Sequence, residues 1–410
     1  MKVLNSVKHV FKAIFNYYLM SSLIGAFFSF VVIIFLSHNL DTKSFVAVGV
    51  FSGLLGVMPS IIGMHTRSYF LIEGVKSKYL SKNDVLNLVS CFFWMMASLM
   101  LLYVIGELFS FSGLFSVDLW GLLVITAFLQ WLYYTVLVVA QSKNSARMYF
   151  IIVLVSSFLG ALFVFIKWRV AGLHWEDRVY GLWLGFGVSF VVFSFIIRNE
   201  ISTLYGWTFD ELVTSVFDSI KYSIFLVPFS LSVTAVAFFD RYIVSEYVGV
   251  DTAAQYISMS QFVLVYAIFS DSIYKRITPV YLRGGKVRVL ILALLSSLVA
   301  GVVFLVVGSV AFDLVFPERI TFDFSLYLLM LTAAFSVFFV KVVSLLFNYI
   351  KLNAHLSIYA VLFNALCVFN MFLCVSYFEM DVLIIPTVIV LSNLLMATTL
   401  LVLYEGKISD

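Results

Sequence analysis

Residues 13–36, AIFNYYLMSSLIGAFFSFVVIIFL, run for 24 positions without a charge. A helix rises 1.5 Å per residue, so this stretch covers about 36 Å, enough to cross a hydrocarbon layer of about 30 Å. It exceeds the roughly 7–15 residues of a signal-peptide core, and no small-x-small cleavage site follows it, so the expectation is a retained first membrane span. The same window moved outward finds eleven further segments, near 45–64, 85–106, 119–140, 148–166, 179–197, 220–245, 253–274, 287–312, 324–347, 354–376 and 382–404. A barrel strand would be about 10 residues long with alternating character, whereas a helix satisfies its own backbone in lipid. The expected fold is an all-α polytopic membrane protein of about 12 transmembrane helices, in two parallel six-helix bundles around a central cavity.

Composition agrees. Of 410 residues, 63% are hydrophobic and 11% charged, against roughly 45–50% and about 25% in soluble domains. The net charge of +3 matters less than its placement. With the first loop taken as external, 19 of the 25 Lys and Arg fall in cytoplasmic segments and 6 outside. Losing or adding one span would scramble that alternation. Both termini are therefore expected in the cytoplasm, and the protein in a bacterial inner membrane. Cys91, Cys367 and Cys374 all lie in apolar stretches, which excludes a disulfide framework and zinc spacing.

The longest break, 198–219, falls near the midpoint. Within it Thr208 and Glu211 have capping-box spacing ahead of Leu212, Val213, Val216, Phe217 and Ile220, which predicts a short amphipathic helix on the inner membrane face. The expected organisation is an N-terminal bundle over 1–197, a linker over 198–219 and a C-terminal bundle over 220–410. At an offset of 210, Asp41-Thr42 matches Asp251-Thr252, Gly74 matches Gly284 and Lys76 matches Lys286, in corresponding loops of the two halves. That pattern is expected of parallel repeats.

A charge at the bilayer centre costs at least about 2.5–3.5 kcal/mol, so ionisable groups in or beside spans are the functional candidates. They are Asp240 and Arg241 near the outer end of the seventh span, Asp271 near the inner end of the eighth, and Lys341 two turns inside the tenth. Arg67 closes the second span and Arg147 opens the fifth. Gln255, Ser258 and Gln261 recur at i, i+3, i+6 on one face of the eighth, while Gln130, Asn364 and Asn393 fall near mid-membrane. These uncharged groups either bond neighbouring helices or line a cavity. Trp120, Trp168 and Trp175 suit an interface belt, Pro59, Pro228 and Pro386 kink spans, and Gly181-x-x-x-Gly185 suits close helix contact. The sequence carries no GxSxG, HExxH, Walker A or dinucleotide loop, so no enzyme, cofactor or nucleic-acid reading arises.

The stretch FFDRYIVSEYVGVDTAAQYISMSQFVLVYAIF, Phe238 to Phe269, resembles the seventh-to-eighth-span region of bacterial polysaccharide-transporter flippases of the Wzx type. TPVYLRGGK (Thr278 to Lys286) and LDTKSFVAVGVFSGLLGVMPSIIGM (Leu40 to Met64) extend the likeness. The resemblance implies a relative of the MATE exporters that moves undecaprenyl-diphosphate-linked O-antigen or capsule repeat units between leaflets by alternating access. It further implies a proton or sodium gradient as drive and other O-antigen assembly proteins as partners. A diphosphate suits Arg and Lys clamps. Span one holds no deep Arg or Lys, so a cationic cavity falls to Arg67, Arg147, Arg241, Arg276 and Lys341, with Gln261 as a polar contact and Asp240 and Asp271 as ion-coupling groups. A small-solute exporter of the MATE or major-facilitator type is the first rival. A membrane O-antigen polymerase is the second, although the longest outer loops, near Gly106–Asp118 and Lys167–Arg178, are short for an enzyme holding two glycans.

Overall fold

The computed structural model describes residues 17–409, apart from 65, 68, 71–81, 110–116, 143–144, 202–207, 225, 285–286 and 350–352. Among the described residues the regular structure is helical throughout. The first six helices are α1 (Tyr17–Asn39), α2 (Thr42–Ile61), α3 (Lys82–Phe109), α4 (Val117–Ser142), α5 (Ala146–Ala171) and α6 (Glu176–Ile201). A shorter α7 (Phe209–Ser223) follows, then α8 (Leu226–Ile243), α9 (Val250–Gly284), α10 (Val287–Val315), α11 (Phe324–Tyr349), α12 (Asn353–Phe372) and α13 (Ile384–Ser409). Single π-turns, Val244–Val248 and Leu373–Tyr377, extend α8 and α12. Eleven of these helices are long and apolar enough to cross a membrane. The sixth expected span, 179–197, lies within the 26 residues of α6.

The capping box forms as the spacing predicts. Thr208 N–H donates to Glu211 Oε2 at 3.0 Å, and Glu211 N–H donates to Thr208 Oγ1 at 3.3 Å. The helix it starts runs to Ser223, so residues 220–223 belong to α7 and the seventh span opens only at Leu226. Its inner face explains the extension. Ser219 Oγ lies 2.6 Å from Ser90 Oγ, Ser215 Oγ donates to Asn87 Oδ1 at 2.9 Å, and Trp94 Nε1 donates to Val216 O at 3.0 Å. Phe209 and Phe217 remain exposed on the other side.

Two expected loops are shorter in the structure. The outer loop near Lys167–Arg178 shrinks to the turn between Ala171 and Glu176, because both flanking helices extend into it. The basic stretch after the eighth span is largely helix, since α9 continues to Gly284 and reaches about 52 Å. The two matched Asp-Thr pairs occupy equivalent places: Thr42 opens α2 and Asp251-Thr252 lie in the first turn of α9. Asp41 caps its helix by accepting the Ser44 N–H at 3.0 Å. The Ser44 hydroxyl and N–H hold that carboxyl below its ordinary range.

The chain forms two compact units, residues 1–32 with 58–227, and residues 33–57 with 228–410. The first is built around α5 and α6, which approach backbone to backbone. A Cβ at Gly181 would stand 2.7 Å from the Gly160 carbonyl oxygen, and one at Gly185 would strike that of Ser156. This is the close contact expected of Gly181-x-x-x-Gly185. The second unit takes in the α1–α2 hairpin. Arg319 donates to the carbonyls of Ser37 and Leu40 at the end of α1, and His38 Nε2 lies 2.9 Å from Val315 O. These bonds answer carbonyls that a helix C-terminus leaves open. Gly49 on α2 leaves room for Ile257, whose side chain occupies the space of a Cβ.

A prediction follows for the first unit. Gly185→Ala should destabilise the protein by about 1–3 kcal/mol through forced separation of α5 and α6. Gly187→Ala, two residues away and facing open space, should be neutral or stabilising. Thermal unfolding in detergent compares the two; equal effects would contradict the packing.

Candidate functional site

In the first unit the site grows from a break in α2. Pro59 lies in its last turn and supplies no N–H, so the ladder weakens there. The helix ends at Ile61, and Gly63 and Met64 then adopt left-handed backbone, with φ of 73° and 46°. A Cβ at Gly63 would collide with the Trp131 indole, so glycine is required on both counts. Met64 has no such licence, and its conformation costs of order 1 kcal/mol. The exposed backbone is answered locally: Gly63 N–H donates to Ser98 Oγ at 2.9 Å and Thr66 Oγ1 donates to Gly63 O at 2.6 Å.

Arg67 follows directly. Its Nη2 donates to the Pro59 carbonyl at 3.2 Å, and its guanidinium lies 5.4 Å from the centre of the Tyr134 ring. No carboxylate pairs with it among the described residues. Gln130, Trp131 and Tyr134 share one flank of α4, and Gln130 Oε1 and Trp131 Nε1 are buried without hydrogen-bond partners among the described residues. Arg147, the other basic candidate of this unit, is exposed in the first turn of α5. The Pro59–Gly63 break thus sets a cation beside unfilled polar groups. The guanidinium and the Trp131 N–H are donors that an anionic oxygen can accept from, while Gln130 Oε1 is an acceptor.

The second unit holds the acidic candidates. Asp240 Oδ1 accepts the Arg241 N–H at 2.6 Å, and Oδ2 accepts the Tyr256 hydroxyl at 3.0 Å. Arg241 turns the other way. Its Nη1 donates to the Gly49 carbonyl at 3.3 Å, and its Cδ crosses α2 at Gly53, where a Cβ would come within 3.3 Å. Adjacent helix positions face different directions, and here they find different partners. Lys341 Nζ meets Asp271 Oδ1 at 3.3 Å, an ion pair joining α11 to α9 inside the spanning segments. Sequence spacing sets both groups near the inner surface but gives no sign that they touch.

The uncharged polar groups split. Asn364 Nδ2 donates to Ser232 Oγ at 3.2 Å, and Asn393 Nδ2 donates to Ser336 Oγ at 3.0 Å, so both Asn bond neighbouring helices. Gln255 Nε2 donates to Thr321 O at 3.0 Å, while Gln261 is buried and makes only long contacts of 3.5 Å to Ile257 O and Ser260 Oγ. Ser258 Oγ is buried without a hydrogen-bond partner among the described residues. The side chain of Arg276 lies outside the described residues. The structure therefore joins Asp271 with Lys341, sends Asp240 to Tyr256 and Arg241 to the Gly49 carbonyl, and leaves Arg67 and Arg147 on separate elements of the first unit. Sequence reasoning missed Tyr256, Tyr134 and Arg319, and only Arg319 carries a visible signal, as a cation outside the spans.

No family model matches the chain, and no curated protein matches it. Solved structures do. A MOP-superfamily transporter from Pyrococcus furiosus, described as having a binding pocket of reversed polarity, matches with a TM-score of 0.68 at 16% identity, over 96% of this chain and 95% of the other. A multidrug resistance MATE-family transporter of the same superfamily matches in its inward-facing conformation, with a TM-score of 0.67 at 14% identity over 94% of each chain. The outward-facing conformation of a multidrug resistance MATE-family transporter scores 0.62 at 15% identity, covering 96% and 94%. At these identities the likeness establishes the fold, the MATE-like polytopic membrane fold of that superfamily.

Arg67 offers a direct check on whether its cation serves the fold. Replacing an unpaired, half-buried charge with an apolar side chain is neutral or stabilising. Arg67→Leu should therefore hold the melting temperature in detergent within about 2 °C or raise it. A fall of more than about 5 °C would make Arg67 a structural brace through Pro59.

Proposed function

We propose that this protein is a flippase that carries undecaprenyl-diphosphate-linked O-antigen or capsule repeat units from the cytoplasmic to the periplasmic leaflet of a bacterial inner membrane. The observation that carries the reading is Arg67, a cation at a broken membrane helix with no carboxylate partner among the described residues. Each charge-assisted contact to a diphosphate contributes roughly 1.5–3 kcal/mol, and the Tyr134 ring keeps the guanidinium oriented for it. Arg147, Arg276 and Lys341 are the further cations of the path, with Arg241 toward the exit and Gln261 as a polar contact. Asp240 and Asp271 supply carboxylates for a proton or sodium ion, so that the ion gradient drives alternating access. The bilayer and other O-antigen assembly proteins are its working partners.

The solved neighbours named for multidrug resistance favour a second reading, a small-solute exporter. One set of strains separates the two. In cells lacking their own O-antigen flippase, the wild-type chain should restore surface polysaccharide, and Arg67→Lys should retain part of it. Arg67→Ala, Arg67→Glu and Asp240→Asn should restore none at matched membrane levels. Polysaccharide made by Arg67→Glu would refute the diphosphate reading, and dye efflux without polysaccharide would establish the exporter.

A further inference from the structure

We propose that Gln130 accepts a hydrogen bond from a hydroxyl of the cargo, so that the Arg67 site prefers a sugar phosphate to a phosphate ester without hydroxyls. The proposal rests on the anionic-substrate reading above and names the neutral group that stands beside the anion. Its ground is an acceptor without a donor. Gln130 is 7% exposed, and its Oε1 is buried with no hydrogen-bond partner among the described residues. Buried polar atoms in that state are rare, and a ligand that supplies the missing donor is one explanation with a test.

The donors around it are committed elsewhere. At 3.6 residues per turn, Gln130 lies between two flanks of α4. Thr126 and Tyr133 form the first, where Trp183 Nε1 of α6 donates to Thr126 Oγ1 at 2.7 Å and the Tyr133 and Phe186 ring centres lie 4.9 Å apart. Tyr134 and Trp131 form the second. The Tyr134 ring carries the Arg67 guanidinium at 5.4 Å, and the Trp131 indole packs against Gly63. Ser98, which accepts the Gly63 N–H, gives its own proton to the Trp94 and Met95 carbonyls. Trp131 Nε1 also has no acceptor among the described residues. The Arg67 side of α4 thus presents one unanswered acceptor and one unanswered donor.

Phosphate alone cannot answer both. An ionised phosphate oxygen accepts hydrogen bonds and donates none, so it suits Arg67 and Trp131 Nε1 and is repelled by Gln130 Oε1. A hydroxyl donates and accepts at once, and it satisfies the Gln130 acceptor. Gln130 and Tyr134 are four residues apart on α4, a rise of about 6 Å. An anion held by the guanidinium beside Tyr134 stands one helical turn from Gln130, a step that a hexose joined to the phosphate spans.

The flank is open at one end and covered at the other. Tyr134 is 36% exposed, whereas Gln130 and Trp131 are 7% and 2% exposed. The cover over Trp131 is the Gly63–Met64 turn: the indole nitrogen lies 2.3 Å from where a Gly63 Cβ would stand. Both residues of that turn have positive φ, 73° and 46°, and the Met64 conformation holds strain that movement relieves. The wall nearest the unanswered groups is therefore a strained one.

The test is calorimetric titration of the purified full chain in detergent with phosphate monoesters of equal charge: methyl phosphate and the 1-phosphates of glucose, galactose and mannose. Wild type should bind at least one hexose phosphate about tenfold more tightly than methyl phosphate, the effect of one hydrogen bond to a buried acceptor. Gln130→Met, similar in length, should bring that hexose phosphate to within about twofold of methyl phosphate. Among monodeoxy analogues of the preferred hexose phosphate, one should lose the preference on the wild-type chain, which needs no variant to fold. Gln130→Met should not discriminate against that analogue, because side chain and hydroxyl form one pair. Arg67→Leu should bind none of the esters. Nucleotide sugars and lipid-linked sugars share this chemistry, so the UDP-linked and farnesyl-diphosphate-linked forms of the preferred hexose are titrated in parallel, and the farnesyl form should bind more tightly. Equal affinity of wild type for all four esters, as a trapped water on Gln130 would give, overturns the Gln130 assignment. A preference that survives in Gln130→Met does the same, and either result leaves the Arg67 reading standing. Absence of binding by every ester to folded wild type overturns both, and tighter binding of the UDP form overturns the lipid-linked cargo alone.

Discussion

Hydrocarbon offers no hydrogen bonds, and the structure follows from that one deficit. Every span closes its backbone into a helix, and every polar group within the spans needs a partner from the protein or from a ligand. Where α2 breaks at Gly63, Ser98 and Thr66 take over the lost ladder bonds. Where α1 ends, Arg319 caps its carbonyls. The mid-membrane Asn364 and Asn393 spend their amides on Ser232 and Ser336, joining α12 to α8 and α13 to α11. Groups left over against this background are few. Among the described residues, Gln130 Oε1, Trp131 Nε1 and Ser258 Oγ are buried without a hydrogen-bond partner, and Arg67 has a carbonyl and a ring but no carboxylate.

The spans were legible because burial in lipid imposes a length and excludes charge, and both are one-dimensional properties. The capping box was legible for the same reason: Thr208 and Glu211 are three residues apart, so their mutual bonds are local. What hydropathy does not carry is the choice of neighbour. The extension of α7 to Ser223 depends on Asn87, Ser90 and Trp94, more than a hundred residues earlier. The packing of residues 33–57 with residues 228–410 depends on Arg319, Arg241 and the small size of Gly49. Neither leaves a periodic signal.

The candidate residues were legible one at a time and illegible as pairs. A Lys two turns inside a span and an Asp one turn inside another each invite a functional reading, but 70 residues separate them and nothing in spacing joins them. Their contact at 3.3 Å joins charges that the sequence offers separately. The sequence offers Arg241 as an exit cation, and in the structure its Nη1 donates to the Gly49 carbonyl. Arg67 has a carbonyl and an aromatic face as its partners among the described residues. The likeness to MATE-family structures establishes the fold alone, and the anionic-cargo reading rests on these charges.

The central claim is that the cargo is a lipid-linked diphosphate moved between leaflets at the expense of an ion gradient. Reconstitution in liposomes carrying a fluorescent undecaprenyl-diphosphate oligosaccharide in one leaflet tests it most directly, with leaflet change read by quenching from outside. The account predicts that wild-type vesicles exchange the lipid faster than protein-free vesicles, and that an imposed proton or sodium gradient makes the exchange directional. Exchange no faster than in protein-free vesicles, in preparations that transport a cationic dye, would contradict it.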